Sequence, residues 1–167
     1  MPRDLRSPVP RRVRPKFSEE WKVPNDPKLW ITWAHANGKL KDEKVYWVAT
    51  SSSAGRPHAA PVWGIWKGNA FYDETDPSSV KGKNLKENSR IVVHIQDGLD
   101  TVIVEGKASR ERDPERLKTL RANYSRKYDY EPDWKDETAQ LVFRVDPGKA
   151  HAWRAPRMHR TLVNFVF

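Results

Sequence analysis

The segment PHAAPVWGIWKGNAFYDE, residues 57–74, has the pattern of a β-hairpin. Two extended stretches rich in β-branched and aromatic side chains flank Gly68-Asn69, a pair typical of tight hairpin turns. Pro57 and Pro61 cannot donate a hydrogen bond to a β-ladder, so the first strand is predicted at a sheet edge or at a bulge. The segment therefore predicts antiparallel pairing, and with it a mainly β fold.

Further strands are predicted on both sides of this hairpin. Residues 45–50 precede it, and residues 90–96 and 101–108 follow it around a turn at Asp97-Gly98. Two or three strands close the sequence, over residues 140–145, 149–153 and 161–167. No helix separates the first three strands, which argues against a parallel, doubly wound sheet. Six to eight short strands in consecutive hairpins predict a small barrel or sandwich.

Three helices are expected at the margins of the sheet. The first is predicted over residues 26–37, because an Asp-Pro pair can open it and Gly38 can end it. A second, over residues 78–88, contains Gly82, which weakens a helix by roughly 1 kcal/mol relative to Ala. The third begins at Asp113 and keeps an apolar stripe along one side, formed by Leu117, Leu120, Tyr124 and Tyr128.

The composition excludes several classes of protein. The chain has 167 residues and no cysteine, so disulfides, thiolate nucleophiles, iron–sulfur clusters and cysteine-based zinc sites are ruled out. The five histidines have neither HxH nor HExxH spacing, and no metal site is predicted. No apolar run approaches the roughly 20 residues that span a bilayer. We therefore expect a soluble protein of the cytoplasm, with no membrane partner.

The N-terminal segment differs in composition from the rest of the chain. Residues 1–16 hold six Arg or Lys residues against a single Asp, together with four prolines. This composition predicts a flexible, basic, Pro-rich arm over residues 1–25, followed by one domain over residues 26–167. The arm could tether an anion or a nucleic acid, or be a solvated tail. No aromatic side chains alternate with its arginines, which makes nucleic acid the weaker alternative.

One turn of the chain has the composition of an anion-binding site. Hydroxyl and ammonium groups lie between a strand end and a helix N-terminus, at Thr75, Ser78, Ser79, Lys81 and Lys83. A phosphate there would accept several charge-assisted hydrogen bonds. The alternative is an exposed basic turn. Just before it, the small residues of AAPVWG would let a planar ring lie close to the backbone, with Trp63 as a wall or, alternatively, as a core residue.

Four segments together resemble a known superfamily. They are residues 55–72, SSVKGKNL at 78–85, ENSRIVVHI at 87–95 and TVIVEGKA at 101–108. In this order they resemble the pyridoxamine 5′-phosphate oxidase-like, flavin-binding split-barrel superfamily, in particular the branch that uses FMN or the deazaflavin coenzyme F-420. The resemblance implies a six-stranded antiparallel split β-barrel of the FMN-binding type. It also implies a homodimer with two flavin sites at the subunit interface.

The resemblance assigns cofactor-binding roles by motif. Along the flavin ring it places Ala60, Pro61, Val62 and Trp63, and around the phosphate Thr75, Ser79, Val80, Lys81 and Lys83. Thr101 would approach the flavin of the other subunit. The chain departs from the pattern at two positions, since the family usually has Arg where Val80 stands and the oxidase itself has Arg where Ala60 stands. Arg157 and His159, after Trp153, are similar to the oxidase's substrate-binding signature, or belong to a surface loop.

The predicted function is a flavin- or deazaflavin-dependent oxidoreductase that transfers a hydride between FMN or coenzyme F-420 and a small organic substrate. No catalytic side chain is assigned, because the cofactor supplies the chemistry in this class. Two alternatives remain open. One keeps the fold as a non-catalytic cofactor-binding protein, or as a haem- or biliverdin-binding protein. The other is a nucleic-acid-binding module that uses the basic arm. The residues do not decide the substrate or the direction of hydride transfer.

Overall fold

The computed structural model describes residues 8–134 and 140–167, and these form a mainly β domain. Its four α-helices are α1 Trp33–Asp42, α2 Val80–Glu87, α3 Pro114–Tyr128 and α4 Met158–Thr161. The strands within the described residues are β1 Arg11–Val13, β2 Tyr46–Ser51, β3 Pro57–Val62, β4 Gly64–Lys67, β5 Ala70–Thr75, β6 Arg90–Ile95, β7 Asp100–Arg110, β8 Leu141–Arg154 and β9 Val163–Val166. None of the helices in this part of the chain is long and apolar enough to cross a membrane.

All strand pairings in the described sheet are antiparallel. The strand order is β1-β9-β8-β7-β6-β2-β3, and β5 pairs with both β4 and β8. This confirms the predicted mainly β, antiparallel fold, with nine strands where the resemblance implies six. The β4–β5 turn confirms the predicted hairpin, because Gly68 and Asn69 both have positive φ, at 62° and 55°.

The strand β8 merges two strands that the sequence predicted separately. It pairs with β7 along almost its whole length, from Asp100↔Arg154 to Arg110↔Phe143. The register shifts between Glu105 and Gly106, where a Cβ on the glycine would lie 2.5 Å from the Asp146 carbonyl oxygen. The bulge lets the two strands bend together without breaking. On β8 the pairing passes from Lys149 to Pro147 at this point, between the two strands that were predicted.

The first helix corrects the prediction. It runs over Trp33–Asp42 rather than residues 26–37, and the Thr32 side chain caps it by accepting a hydrogen bond from the His35 amide at 3.2 Å. Buried side chains at i, i+3 and i+7 fix this placement, namely Trp33, Ala36 and Leu40. Asp26 instead caps a local turn, accepting from the Lys28 amide at 3.0 Å. The predicted stop, Gly38, lies inside the helix.

The other two predicted helices have the expected caps. The Ser79 hydroxyl accepts from the Gly82 amide at 3.0 Å at the start of α2. Asp113 accepts from the first amides of α3, at 3.0 Å and 3.1 Å. On α3, Leu120 and Tyr124 are buried against β4 and β5 residues in a small second core. The main core lies between the sheet and α1, and it includes Tyr46, Val93, Val104 and Phe165.

Part of the segment predicted as a flexible arm, residues 1–25, pairs with the sheet. Within it, Arg11–Val13 forms β1 and pairs with β9, from Arg11↔Val166 to Val13↔Asn164. The guanidinium of Arg12 lies 5.9 Å from the Trp30 ring centroid, a cation–π distance. Composition alone could not reveal this strand, because its partner lies at the other end of the chain.

The two helical glycines should respond oppositely to alanine. In α2, a Cβ on Gly82 would lie 2.9 Å from Pro77 backbone atoms, so we expect Gly82→Ala to destabilise the protein by about 1–3 kcal/mol. In α1, no atom lies within 4 Å of a Cβ on Gly38, and Gly38→Ala should stabilise by about 0.5–1 kcal/mol. Urea unfolding measures both. A stabilising Gly82→Ala would contradict the close approach of α2 to the preceding loop.

The contribution of β1 can be isolated by two truncations. A chain lacking residues 1–13 loses the β1–β9 ladder, whereas a chain lacking residues 1–7 retains it. We expect the shorter chain to be less stable than the longer one by about 1–2 kcal/mol, because a backbone hydrogen bond contributes about 1 kcal/mol net. Thermal and urea unfolding of both truncations test this. Equal stabilities would show that β1 is not part of the folded sheet.

Candidate functional site

A cavity of about 390 Å³ lies where the end of β3 faces β5. Its lining includes three of the residues that the resemblance places along a flavin ring, Pro61, Val62 and Trp63. The fourth, Ala60, is half-buried in β3 opposite Val48 and does not line the cavity. The rest of the lining comes from neighbouring elements, as Val45, Asp73, Glu74 and Tyr124.

Trp63 is a wall of this cavity rather than a core residue. It lies between β3 and β4, 46% exposed, and its ring stacks on Tyr128 with centroids 4.8 Å apart. Trp66, two strand positions into β4, is the core residue, and its indole N–H donates to Asn37 at 2.7 Å. The interruption between strands β3 and β4 thus turns Trp63 outward and Trp66 inward.

Helix α3 fixes the backbone at this interruption between β3 and β4. The Lys127 ammonium donates to the Gly64 carbonyl at 3.0 Å and to the Tyr46 hydroxyl at 2.9 Å. The Tyr128 hydroxyl accepts from the Gly64 amide at 2.9 Å. Burial lowers the pKa of Lys127 to about 8. A Cβ on Gly64 would overlap the Phe71 ring, so only glycine fits beside Trp63.

An aromatic cluster on and after α3 completes the cavity, and the sequence analysis did not assign it to the site. Tyr124 lines the cavity and contacts Tyr128, Tyr130 and Trp134, with ring centroids 4.7–6.4 Å apart. The stripe of tyrosines on α3 predicted core packing only. Tyr124 belongs to the second core, and it is also the member of the stripe that lines the cavity.

Some of the residues predicted to bind a phosphate are exposed, and others already form hydrogen bonds within the protein. Val80 is 54% exposed and Lys83 is exposed, so both face solvent on α2. The Ser79 hydroxyl is already engaged, because it caps α2 and donates to the Asp76 carbonyl at 2.7 Å. Of the predicted ligands, Lys83 therefore presents its ammonium most openly.

The other two predicted phosphate ligands turn inward to a buried carboxylate. Lys81 donates to Asp73 Oδ2 and, at 3.3 Å, to the Glu74 carbonyl. The Thr75 hydroxyl also donates to Asp73 Oδ2, at 3.4 Å. Desolvation raises the pKa of Asp73 to about 6, although the nearby Lys81 charge opposes the shift. Asp73 was not predicted as a site residue, since a charged residue in a strand gives no sign of which face it occupies.

The remaining predicted residues lie apart from the cavity. Thr101 is buried at the start of β7, where its hydroxyl donates to the Asp97 carbonyl at 3.3 Å. Next to it, Asp100 accepts from His35 Nε2 at 2.9 Å. His159 lines a separate cavity of about 450 Å³ with Trp21, Ala155 and Met158, and Arg157 is not in that lining. In residues 8–134 and 140–167, no three His, Asp or Glu side chains group as metal ligands.

The outer face of the central strands has an apolar centre. Trp47, His94 and Ile103 lie side by side in register across β2, β6 and β7, and Ala49, Val92 and Glu105 form the adjacent row. A groove of about 720 Å³ begins at this second row and continues past charged residues such as Lys107 and Lys149, and it does not include the first row in its lining. The His94 Nδ1 atom lies 2.8 Å from the Ile95 carbonyl oxygen, so it carries the proton and leaves the Nε2 lone pair free to accept.

Comparison with known proteins relates this architecture to a family. The pyridoxamine 5′-phosphate oxidase family profile matches residues 33–154. A search of the curated proteins finds no significant sequence match. Many solved structures share the fold, among them three at low identity.

A Clostridium acetobutylicum protein of the pyridoxine phosphate oxidase family is 17% identical, with a TM-score of 0.61, covering 80% of this chain and 93% of its own. The haem storage protein HutZ from Vibrio cholerae is 16% identical, with a TM-score of 0.59, covering 69% and 89%. An F420 reductase is 19% identical, with a TM-score of 0.53, covering 66% and 92%.

The family profile spans well over half of the chain, from the start of α1 to the end of β8, and thus includes the whole cavity between β3 and β5. The strand order and the β7–β8 ladder provide the split-barrel architecture. The chain belongs to the pyridoxamine 5′-phosphate oxidase family.

Proposed function

We propose that this protein is an oxidoreductase that binds FMN or coenzyme F-420 and transfers a hydride between that cofactor and a small organic substrate. The observation that carries the proposal is the cavity between β3 and β5, walled by Pro61 and Trp63 and adjoining the basic turn of α2. The similarity in fold to an F420 reductase supports the same function.

The residues of the cavity fit a tricyclic ring. Pro61 has no N–H group, so an apolar ring can cover that part of β3 without leaving a backbone donor unsatisfied. One face of Trp63 stacks on Tyr128, which holds the indole plane as a rigid wall. The bound cofactor supplies the hydride chemistry. The chain's own residues then orient the ring and exclude water, and no catalytic side chain is needed.

The phosphate end fits less completely. Lys83 is exposed on α2, and Val80 beside it leaves room for an anion but adds no charge. Lys81 and Thr75 are held by Asp73. We therefore expect ring contacts to contribute more to cofactor affinity than phosphate contacts do.

We also propose a homodimer that buries the apolar outer face of β2, β6 and β7. Trp47, Val92 and Ile103 are partly exposed on this face, although they are apolar and lie at its centre. Such a patch is typical of an interface between subunits. In this dimer, Thr101 would come near the cofactor of the partner subunit, as the family resemblance implies.

A haem-binding role is a second candidate, and His94 is the observation that favours it. Its Nε2 lone pair is free, and it lies on an apolar sheet face that could cover a macrocycle. Neutral imidazole is a common axial ligand of haem iron. The haem storage protein HutZ has the same fold. The absorption spectrum of the purified protein, with mass spectrometry of the released ligand, separates a flavin, a deazaflavin and a haem.

The α2 turn gives the direct test of the cofactor site. We expect Lys83→Ala to raise the dissociation constant for FMN by about 3–10-fold, the scale of an exposed charge contact. Val80→Arg should lower it by a similar factor, because it restores a guanidinium beside the phosphate. Lys86→Ala, also exposed on α2, is the matched control and should change little. Fluorescence titration measures all three, and equal effects of Lys83→Ala and Lys86→Ala would remove α2 from the site.

The dimer is tested by a charge on its proposed face. We expect Trp47→Arg to shift the protein from dimer to monomer in light scattering at micromolar concentration, because its cross-strand neighbours Pro61 and His94 offer no carboxylate and the guanidinium would be buried unpaired in the interface. Thr119→Arg, on the exposed side of α3, is the matched control and should stay dimeric. If the unmodified protein is already monomeric, the proposed two-chain cofactor site is wrong.

A further inference from the structure

We propose that the Asp73 carboxylate acts as an internal substitute for the cofactor phosphate and thereby weakens the binding of phosphate-bearing cofactors. This inference rests on the proposed function, because it concerns the same cavity and turn. It names a residue that determines affinity and cofactor choice, and that neither the family resemblance nor the sequence pattern assigns.

The contacts of one oxygen atom carry the proposal. Asp73 Oδ2 accepts from both the Lys81 ammonium and the Thr75 hydroxyl. The family resemblance assigns both of these donors to the phosphate. A carboxylate oxygen therefore occupies the position, relative to these donors, that a phosphate oxygen would otherwise take. Two of the five expected phosphate ligands are satisfied before any ligand arrives.

Burial makes this arrangement costly to undo. Asp73 is 3% exposed and Lys81 is 7% exposed. Moving the Lys81 ammonium out to a ligand would leave the Asp73 charge buried without its cation, which is strongly unfavourable in a low-dielectric interior. That cost subtracts from the energy that a phosphate gains from Lys81. The phosphate is then left with weaker contacts at the surface of α2.

The strand β5 explains why the carboxylate faces inward. Phe71, Asp73 and Thr75 alternate along β5, and all three are buried. The register fixes Asp73 opposite Gly64 on one side and Phe143 on the other, where neither neighbour is charged. Within the described residues, Lys81 is the cation that pairs with Asp73. Asp73 of β5 and Lys81 of α2 therefore form an ion pair between the strand and the helix.

Asp73→Asn tests the proposal, because it removes the charge and keeps the shape. We expect this variant to bind FMN at least about fivefold more tightly than the unmodified chain. Riboflavin, which lacks the phosphate, should bind both chains equally. Asp73→Asn combined with Lys81→Met should lose the gain for FMN. Asp73→Leu is a second variant at the same position, and thermal unfolding shows whether each protein is folded.

The unmodified protein provides a test that needs no variant. If Asp73 occupies the phosphate ligands, FMN should bind within about tenfold of riboflavin. A preference for FMN above about 100-fold would overturn the proposal. So would an Asp73→Asn variant that binds FMN no better, or one that binds riboflavin and FMN equally more tightly. In these outcomes flavin binding itself persists, so the proposed function stands. If no chain binds FMN, riboflavin or coenzyme F-420, the proposed function fails and this inference fails with it.

Discussion

The fold depends on the antiparallel ladder between β7 and β8. One edge of β8 pairs with β7 almost throughout, whereas its other edge pairs first with β5 and then with β9. The change of partner occurs near Pro147, opposite the bulge at Gly106. A straight ladder would keep β5 and β9 in one plane, but the bulge bends β8 and lets the sheet split.

The cavity is built from backbone features more than from polar side chains. The chain must pass from β3 into β4 at Trp63 and Gly64, where neither strand continues. Lys127 and Tyr128 satisfy the backbone groups of Gly64 at that point. The same contacts place the Trp63 ring against Tyr128. The packing of α3 against Gly64 therefore also sets the position of the Trp63 ring that walls the cavity.

Local signals predicted the elements that depend on local chemistry. The Gly68-Asn69 turn and the caps at Ser79 and Asp113 need only neighbouring residues, and all three are confirmed. The position of α1 and the strand β1 depend on distant partners, so the predicted bounds of α1 were wrong and β1 was not predicted. An Asp-Pro pair is a helix signal of modest strength, and burial of three α1 side chains outweighs it.

The candidate site shows the same division between local and distant information. The segment that lines the cavity with Pro61, Val62 and Trp63 was singled out from its small residues and prolines, and its role in cofactor binding stays a prediction. The pairing of Lys81 with Asp73 could not be predicted, since it depends on which face of β5 holds Asp73. The same ambiguity hid the aromatic cluster around Tyr124, which the stripe on α3 could only indicate as core. Side-chain direction at the ends of elements is set by tertiary contacts.

The departures from the family pattern act in one direction. Val80 stands where the family usually has an arginine, Ala60 stands where the oxidase itself has one, and Asp73 pairs with Lys81. Each of these features lowers the local positive charge, although the chain as a whole carries a net charge of +9. Overall basicity therefore says little about this site, because interactions between exposed charges are screened within about 10 Å. In the cofactor site that we propose, ligand recognition would therefore rest on the shape and stacking of Trp63 and Tyr124 rather than on charge.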